Sequence, residues 1–68
     1  MLKILVHRPK DSVVVGILPE KDSRLYRFIN FTKGHICPCK FSSIDEAFND
    51  LDKYIKEGKV VNYKILEY

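Results

Sequence analysis

The sequence predicts a small α+β domain: a mainly antiparallel sheet of four to five strands in the order β-β-β-(β)-α-β, with one amphipathic helix packed on one face. Three observations carry this reading. Short segments of β-branched and aromatic residues are separated by turn residues, a single stretch keeps helical spacing, and a further β-rich segment follows that stretch.

"LKILVHR" opens the chain with Leu2, Ile4 and Val6 on one face and Lys3, Leu5 and His7 on the other, the two-residue alternation of a strand. "PKD" then supplies a turn, since Pro9 fixes φ and Asp11 can bond its own backbone. "SVVVGIL" is the second strand of the resulting hairpin, with apolar residues on both faces. "PEKDS" makes the next turn, and "RLYRFINFT" reads as the third strand. After "TKG", the segment "HICPCKF" is extended in character, but Pro38 cannot donate to a ladder and confines it to an edge strand or a loop.

"SSIDEAFNDLDKYIKEGK" carries the helix. Ile44, Ala47, Phe48, Leu51 and Ile55 recur at three- and four-residue spacing, with Tyr54 at the flank. Ser43 followed three positions later by Glu46 matches a capping box. Asp45 and Glu46 suit the positive end of the helix dipole, Lys53 and Lys56 suit the negative end, and Gly58 closes the element. About 14 residues at 1.5 Å rise span roughly 21 Å, enough to cover one face of a small sheet. "VVNYKILEY" finishes as a strand.

With 68 residues, the chain is expected to form a single domain over 1–68. Chains of this size seldom draw more than about 3–5 kcal/mol from one core, so self-association, a disulfide or a metal commonly assists. Apolar residues at 46% and charged residues at 31% match an ordinary globular composition. The longest apolar run near the start, Ile4 to Val6, is far short of a signal peptide's apolar segment or a membrane span, so a cytoplasmic location and no membrane contact are expected. Charge is unevenly divided. Residues 1–40 hold eight Lys or Arg against three acids, giving +5, whereas residues 41–68 hold four against six, giving −2.

One helix shields only one face of a sheet whose strands are apolar on both. The uncovered face is expected to carry Leu5, Val14 and Leu18, together with either Tyr26 and Phe28 or Leu25, Ile29 and Phe31. A patch of that size marks a binding or dimerisation surface. The favoured function is therefore a small non-enzymatic interaction module of the regulator or inhibitor type found among bacterial and phage proteins. It would bind a protein partner, or itself as a homodimer, through Leu5, Val14, Leu18, Tyr26 and Phe28, with Arg24 and Arg27 orienting an acidic partner.

Nucleic-acid binding by the basic half is the alternative, with Arg24, Arg8 and Lys10 flanking a stacking platform of Tyr26 and Phe28. "RLYRFINF" resembles the third strand of the RNA recognition motif at Arg24, Tyr26, Phe28, Ile29 and Phe31. It departs where Leu25 replaces the glycine and Arg27 the small residue. That family also needs a crossover helix between its first two strands, where this chain has only "PKD".

A third alternative is a metal or thiol site. "HICPC" sets His35, Cys37 and Cys39 at two-residue intervals, and imidazole and thiolate are zinc ligands, although no second ligand pair exists in the chain. A Cys37–Cys39 bridge would close a very small ring, so two reduced thiols are expected. No carboxylate or histidine cluster suggests an enzyme, there is no glycine-rich phosphate loop, and no cofactor is called for.

Overall fold

β1 (Leu2–His7) and β2 (Ser12–Pro19) form the first hairpin, in register from Leu2 opposite Ile17 to His7 opposite Ser12. Its turn is closed by Arg8 N–H donating to the Asp11 carbonyl at 2.8 Å. β3 (Tyr26–Asn30) pairs antiparallel with β2, and the two-residue β4 (His35–Ile36) pairs antiparallel with β3. This computed structural model describes residues 2–21 and 23–67; Asp22 of the expected "PEKDS" turn and Tyr68 of the expected last strand lie outside the described residues.

The edge strand is broken, as Pro38 requires. Cys37 N–H still reaches the Phe28 carbonyl at 3.0 Å, the chain then leaves the ladder, and Phe41 returns to exchange two backbone hydrogen bonds with Tyr26 at 2.7 and 2.8 Å. α1 (Ile44–Lys56) follows, and β5 (Asn62–Glu67) pairs antiparallel with β1. The strand order is β4-β3-β2-β1-β5. Strands β4 and β5 are thus the two edges, and the connection between them must cross the whole sheet. α1 makes that crossing on one face, which is why, among the described residues, a single helix covers that face and none covers the other.

Both ends of α1 follow from local sequence. The Ser43 side chain accepts a hydrogen bond from Glu46 N–H at 3.1 Å, satisfying one of the orphan donors of the first turn. The reciprocal half of the capping box does not form. The Glu46 carboxylate accepts from the Ser42 hydroxyl instead, because a second serine precedes the cap and lies within reach. At the other end Gly58 adopts φ 77°, its N–H donates to the Ile55 carbonyl, and Lys59 N–H donates to the Tyr54 carbonyl, a Schellman turn.

The core lies between α1 and the covered face of the sheet. Ile4 is fully buried, and Leu2, Val6, Val13, Ile17 and Phe28 join it from the strands. Ala47 and Leu51 enter from the helix, and Phe41 meets Phe28 edge to face with centroids 4.8 Å apart. Phe48 reaches the far edge, where its ring lies 5.7 Å from that of Tyr63 on β5.

Candidate interaction face

Directly opposite residues of an antiparallel pair share a face, so the register assigns every strand side chain to one side. Leu5 opposes Val14, Gly16 opposes Ile29, Ile29 opposes Ile36 and Leu18 opposes Arg27. All of these lie on the side away from α1. Lys3, Lys64 and Leu66 extend that face toward β1 and β5. Leu5, Val14, Leu18 and Ile29 are half-buried by their neighbours, while Phe31, Ile36 and Leu66 expose 41%, 55% and 48% of their surface. The result is a band of apolar side chains running across the open face from Ile36 on one edge strand to Leu66 on the other.

Gly16 has a steric role in this band. A Cβ at that position would lie 2.6 Å from Cε2 of Phe31 and 3.2 Å from Cγ2 of Ile29. The phenyl ring therefore fills the space that a side chain on β2 would take. The Lys3 ammonium caps the same ring at 5.7 Å from its centroid and also pairs with Glu67 at 3.3 Å. At the other end of the face, Arg27 forms an ion pair with Glu20, and its Nε is buried without a partner. A guanidinium so engaged is part of the fold and is not free to orient a partner.

The face corrects several expectations. Phe28, expected among the displayed aromatics, is buried on the helix side, and Tyr26, two residues away on the same strand, also packs against the core. The physical reason is the alternation itself: Arg27 can reach solvent and Glu20 only on the open side, which turns Tyr26 and Phe28 toward α1. Leu5, Val14 and Leu18 do lie on the open face, and the aromatic member of the band is Phe31.

The residues proposed for nucleic-acid binding are not brought together. Arg8 and Lys10 sit in the β1–β2 turn, whereas the exposed Arg24 precedes β3 at the opposite end of the sheet. The eight residues of β2 separate those ends by roughly 26 Å at about 3.3 Å per residue. Tyr26 and Phe28, their intended stacking platform, face the helix.

Arg8 is further occupied by Asp11, to which its Nε and Nη2 donate at 2.6 and 2.7 Å. That hydrogen bonding raises the Arg8 pKa and holds the Asp11 carboxyl below its ordinary value. Tyr54 and Tyr63 are pushed up chiefly by burial of their hydroxyls against the helix side, with Asp50 and Asp52, respectively, adding to it.

The expected pair of free thiols is also corrected. The structure joins Cys37 to Cys39 in a disulfide with Cα atoms 5.3 Å apart. A fully extended segment would hold residues two apart at roughly 6.6 Å. Leaving the ladder at Pro38 shortens that span and brings it well inside the range a disulfide bridges. Cys39 N–H also donates to the Cys37 sulfur at 3.3 Å. Among the described residues no group of three His, Cys, Asp or Glu side chains is placed to hold a metal ion, so His35, Cys37 and Cys39 do not converge as ligands. No described helix is long and apolar enough to cross a membrane.

No protein-family model, no curated protein and no solved structure matches this chain.

Proposed function

We propose that this chain is a small non-enzymatic interaction module that works through the open face of its sheet, and that a second copy of the chain is the occupant this face suits best. The observation that supports it is the uncovered band of Leu5, Val14, Ile29, Phe31 and Ile36, flanked by Leu18 and Leu66. The charges around the band are Lys3, Arg27 and Lys64 against Glu20 and Glu67, three against two, a net +1. Both signs are present at the rim and are paired within the chain, so two copies related by a two-fold axis meet with little net repulsion as their apolar bands come together.

Area sets the strength. Five strands at about 4.8 Å spacing and six residues at about 3.3 Å give a projected face of roughly 24 by 20 Å, about 480 Å². Two such faces bury on the order of 1,000 Å², the lower limit for a specific interface. The association is accordingly weak and reversible.

Sedimentation equilibrium tests it. The wild type should show a concentration-dependent mass between one and two chains, and Phe31→Ser with Ile36→Ser should remain monomeric at every concentration. Added salt should strengthen or leave unchanged an apolar contact between like-charged faces, whereas phosphate binding weakens steeply with salt. A wild type that stays monomeric at millimolar concentration would overturn the second-copy assignment.

A further inference from the structure

The helix side of the sheet is not wholly sealed. Between the last turns of α1 and the floor of β2 and β3 lies an open cleft of about 310 Å³. Its floor is Val13, Val15 and Phe28, and its wall is Leu51 and Val60. The polar groups at its rim include Arg8, His35, Lys59 and Asn30, and among the described residues no Asp or Glu lines it. We propose that this cleft is a binding site for a small amphipathic carboxylate, a medium-chain or aryl acid whose hydrocarbon lies on Val15 and Phe28 and whose carboxylate meets Arg8 and Lys59.

Size, charge and preorganisation agree on that class. At about 30 Å³ per water-sized group, the cleft has room for roughly ten heavy atoms, the number in octanoate, and its volume is at the lower end for small-molecule sites. Among the described residues, the charged groups of its lining are Arg8 and Lys59, both cations. The carboxylates that pair with them, Asp11 and Glu57, lie outside the lining, and Asp11 is shared between Arg8 and Lys33. Arg8, Lys33 and Lys59 against Asp11 and Glu57 leave one positive charge, three minus two.

The cations are also held in place. Asp11 fixes the guanidinium of Arg8 through two of its five N–H groups, leaving three to donate. The Lys59 ammonium stands 5.6 Å from the centroid of Tyr54. A bare phosphate would satisfy the rim but leave the apolar floor wet, and a neutral hydrocarbon would leave the rim unused.

The test is an amide chemical-shift titration of the ¹⁵N-labelled chain at fixed ionic strength with octanoate, 1-octanol and octylammonium. Octanoate should give saturable shifts centred on Val15, Phe28, Tyr54 and Val60, with an affinity at least about tenfold above that of 1-octanol, the factor that a single charge-assisted contact supplies. Octylammonium should bind more weakly still. Lys59→Gln, a surface change that leaves the core intact, should shift octanoate toward 1-octanol while leaving 1-octanol unchanged, and Arg8→Gln should do the same. Val15→Phe should abolish both ligands by filling the floor. The proposal is overturned if octanoate gives no saturable shift up to about 10 mM, if octylammonium binds as well as octanoate, or if the shifts map to Leu5, Ile29 and Phe31. The last outcome would place the ligand on the open face, so the cleft and the self-association surface are tested separately.

Discussion

The Phe31 ring occupies the space above Gly16 that any larger residue would need, with Cε2 2.6 Å from the position of a Cβ. Two effects oppose each other in Gly16→Ala. Alanine removes the entropic cost of glycine in a strand, about 0.5–1 kcal/mol, while the new methyl displaces a ring that is 41% exposed and can swing outward. The expected net change in stability is within about 1 kcal/mol, but the ring leaves its seat. Chemical denaturation should show the small stability change, and the ring-current shift that Phe31 imposes on the α-protons of residue 16 should diminish. A loss of several kcal/mol would show that the ring is locked and that the open face is part of the core.

Phe28 tests the assignment of faces. Its ring is buried and meets Phe41 edge to face. Phe→Ala in a core costs about 3–5 kcal/mol, as much as a single core of this size supplies in total. Phe28→Ala should therefore be unfolded at 25 °C by circular dichroism, and Phe28→Leu folded with a lowered Tm. A stable Phe28→Ala variant would mean that the ring is displayed and that the sides of β3 are reversed.

How far the fold is legible in the sequence turns on these same residues. The hairpin, the broken edge at Pro38, the helix with its serine cap and the Gly58 stop are all set by local chemistry, and all form where the residues place them. The faces of β3 are a different matter, because "RLYRFINF" is apolar at both parities. The deciding signal was Arg27. A guanidinium needs the open side, so Ile29 and Phe31 go with it, and Tyr26 and Phe28 go to the core. Gly16 inside an apolar strand was a second signal, since such a glycine marks a close approach. Ile36 and Leu66 could not be placed without the strand order, because only the pairing of Ile36 with β3 and the docking of β5 on β1 add them to the band.

The Ser43 cap is expected to contribute on the scale of a single N-cap. Its side chain accepts from Glu46 N–H, and Ser43→Ala should cost about 1 kcal/mol. Because Glu46 bonds Ser42 and does not reach back to the cap, Glu46→Ala should cost well under that. Paired urea denaturation curves check the order. Equal losses at both positions would indicate that the full reciprocal box forms in solution.

The β1–β2 turn has a pH signature. The Asp11 carboxyl is held below its ordinary 3.8, first by the hydrogen bond from Arg8, against partial desolvation, with the charges of Arg8 and Lys33 adding to the effect. A carboxyl depressed in the folded state favours folding above its unfolded value, and that contribution is lost as pH falls through the ordinary value toward the lower folded one. The wild type should lose stability below about pH 4 more steeply than Asp11→Asn, and the two should differ by a constant amount from pH 5 to 8. Parallel acid profiles for the two proteins would show that the pair is broken in water.

The disulfide closes so short a loop that its removal is expected to be mild. For a ring of three residues, chain entropy predicts about 1.6 kcal/mol from restriction of the unfolded state. Cys37→Ser with Cys39→Ser should therefore stay folded, with a Tm lower by roughly 6–13 °C, and reduction of the wild type should reproduce the shift. A chelator should leave the Tm unmoved, since a structural metal would otherwise add many times that stabilisation. The pair is also next to the proposed carboxylate cleft, because Cys37 lines it. Reduction should thus perturb the amides of Phe28 and Asn30 while leaving the open face, and the mass measured by sedimentation, unchanged. A chelator-sensitive Tm would restore His35, Cys37 and Cys39 as ligands and remove the disulfide from the native state.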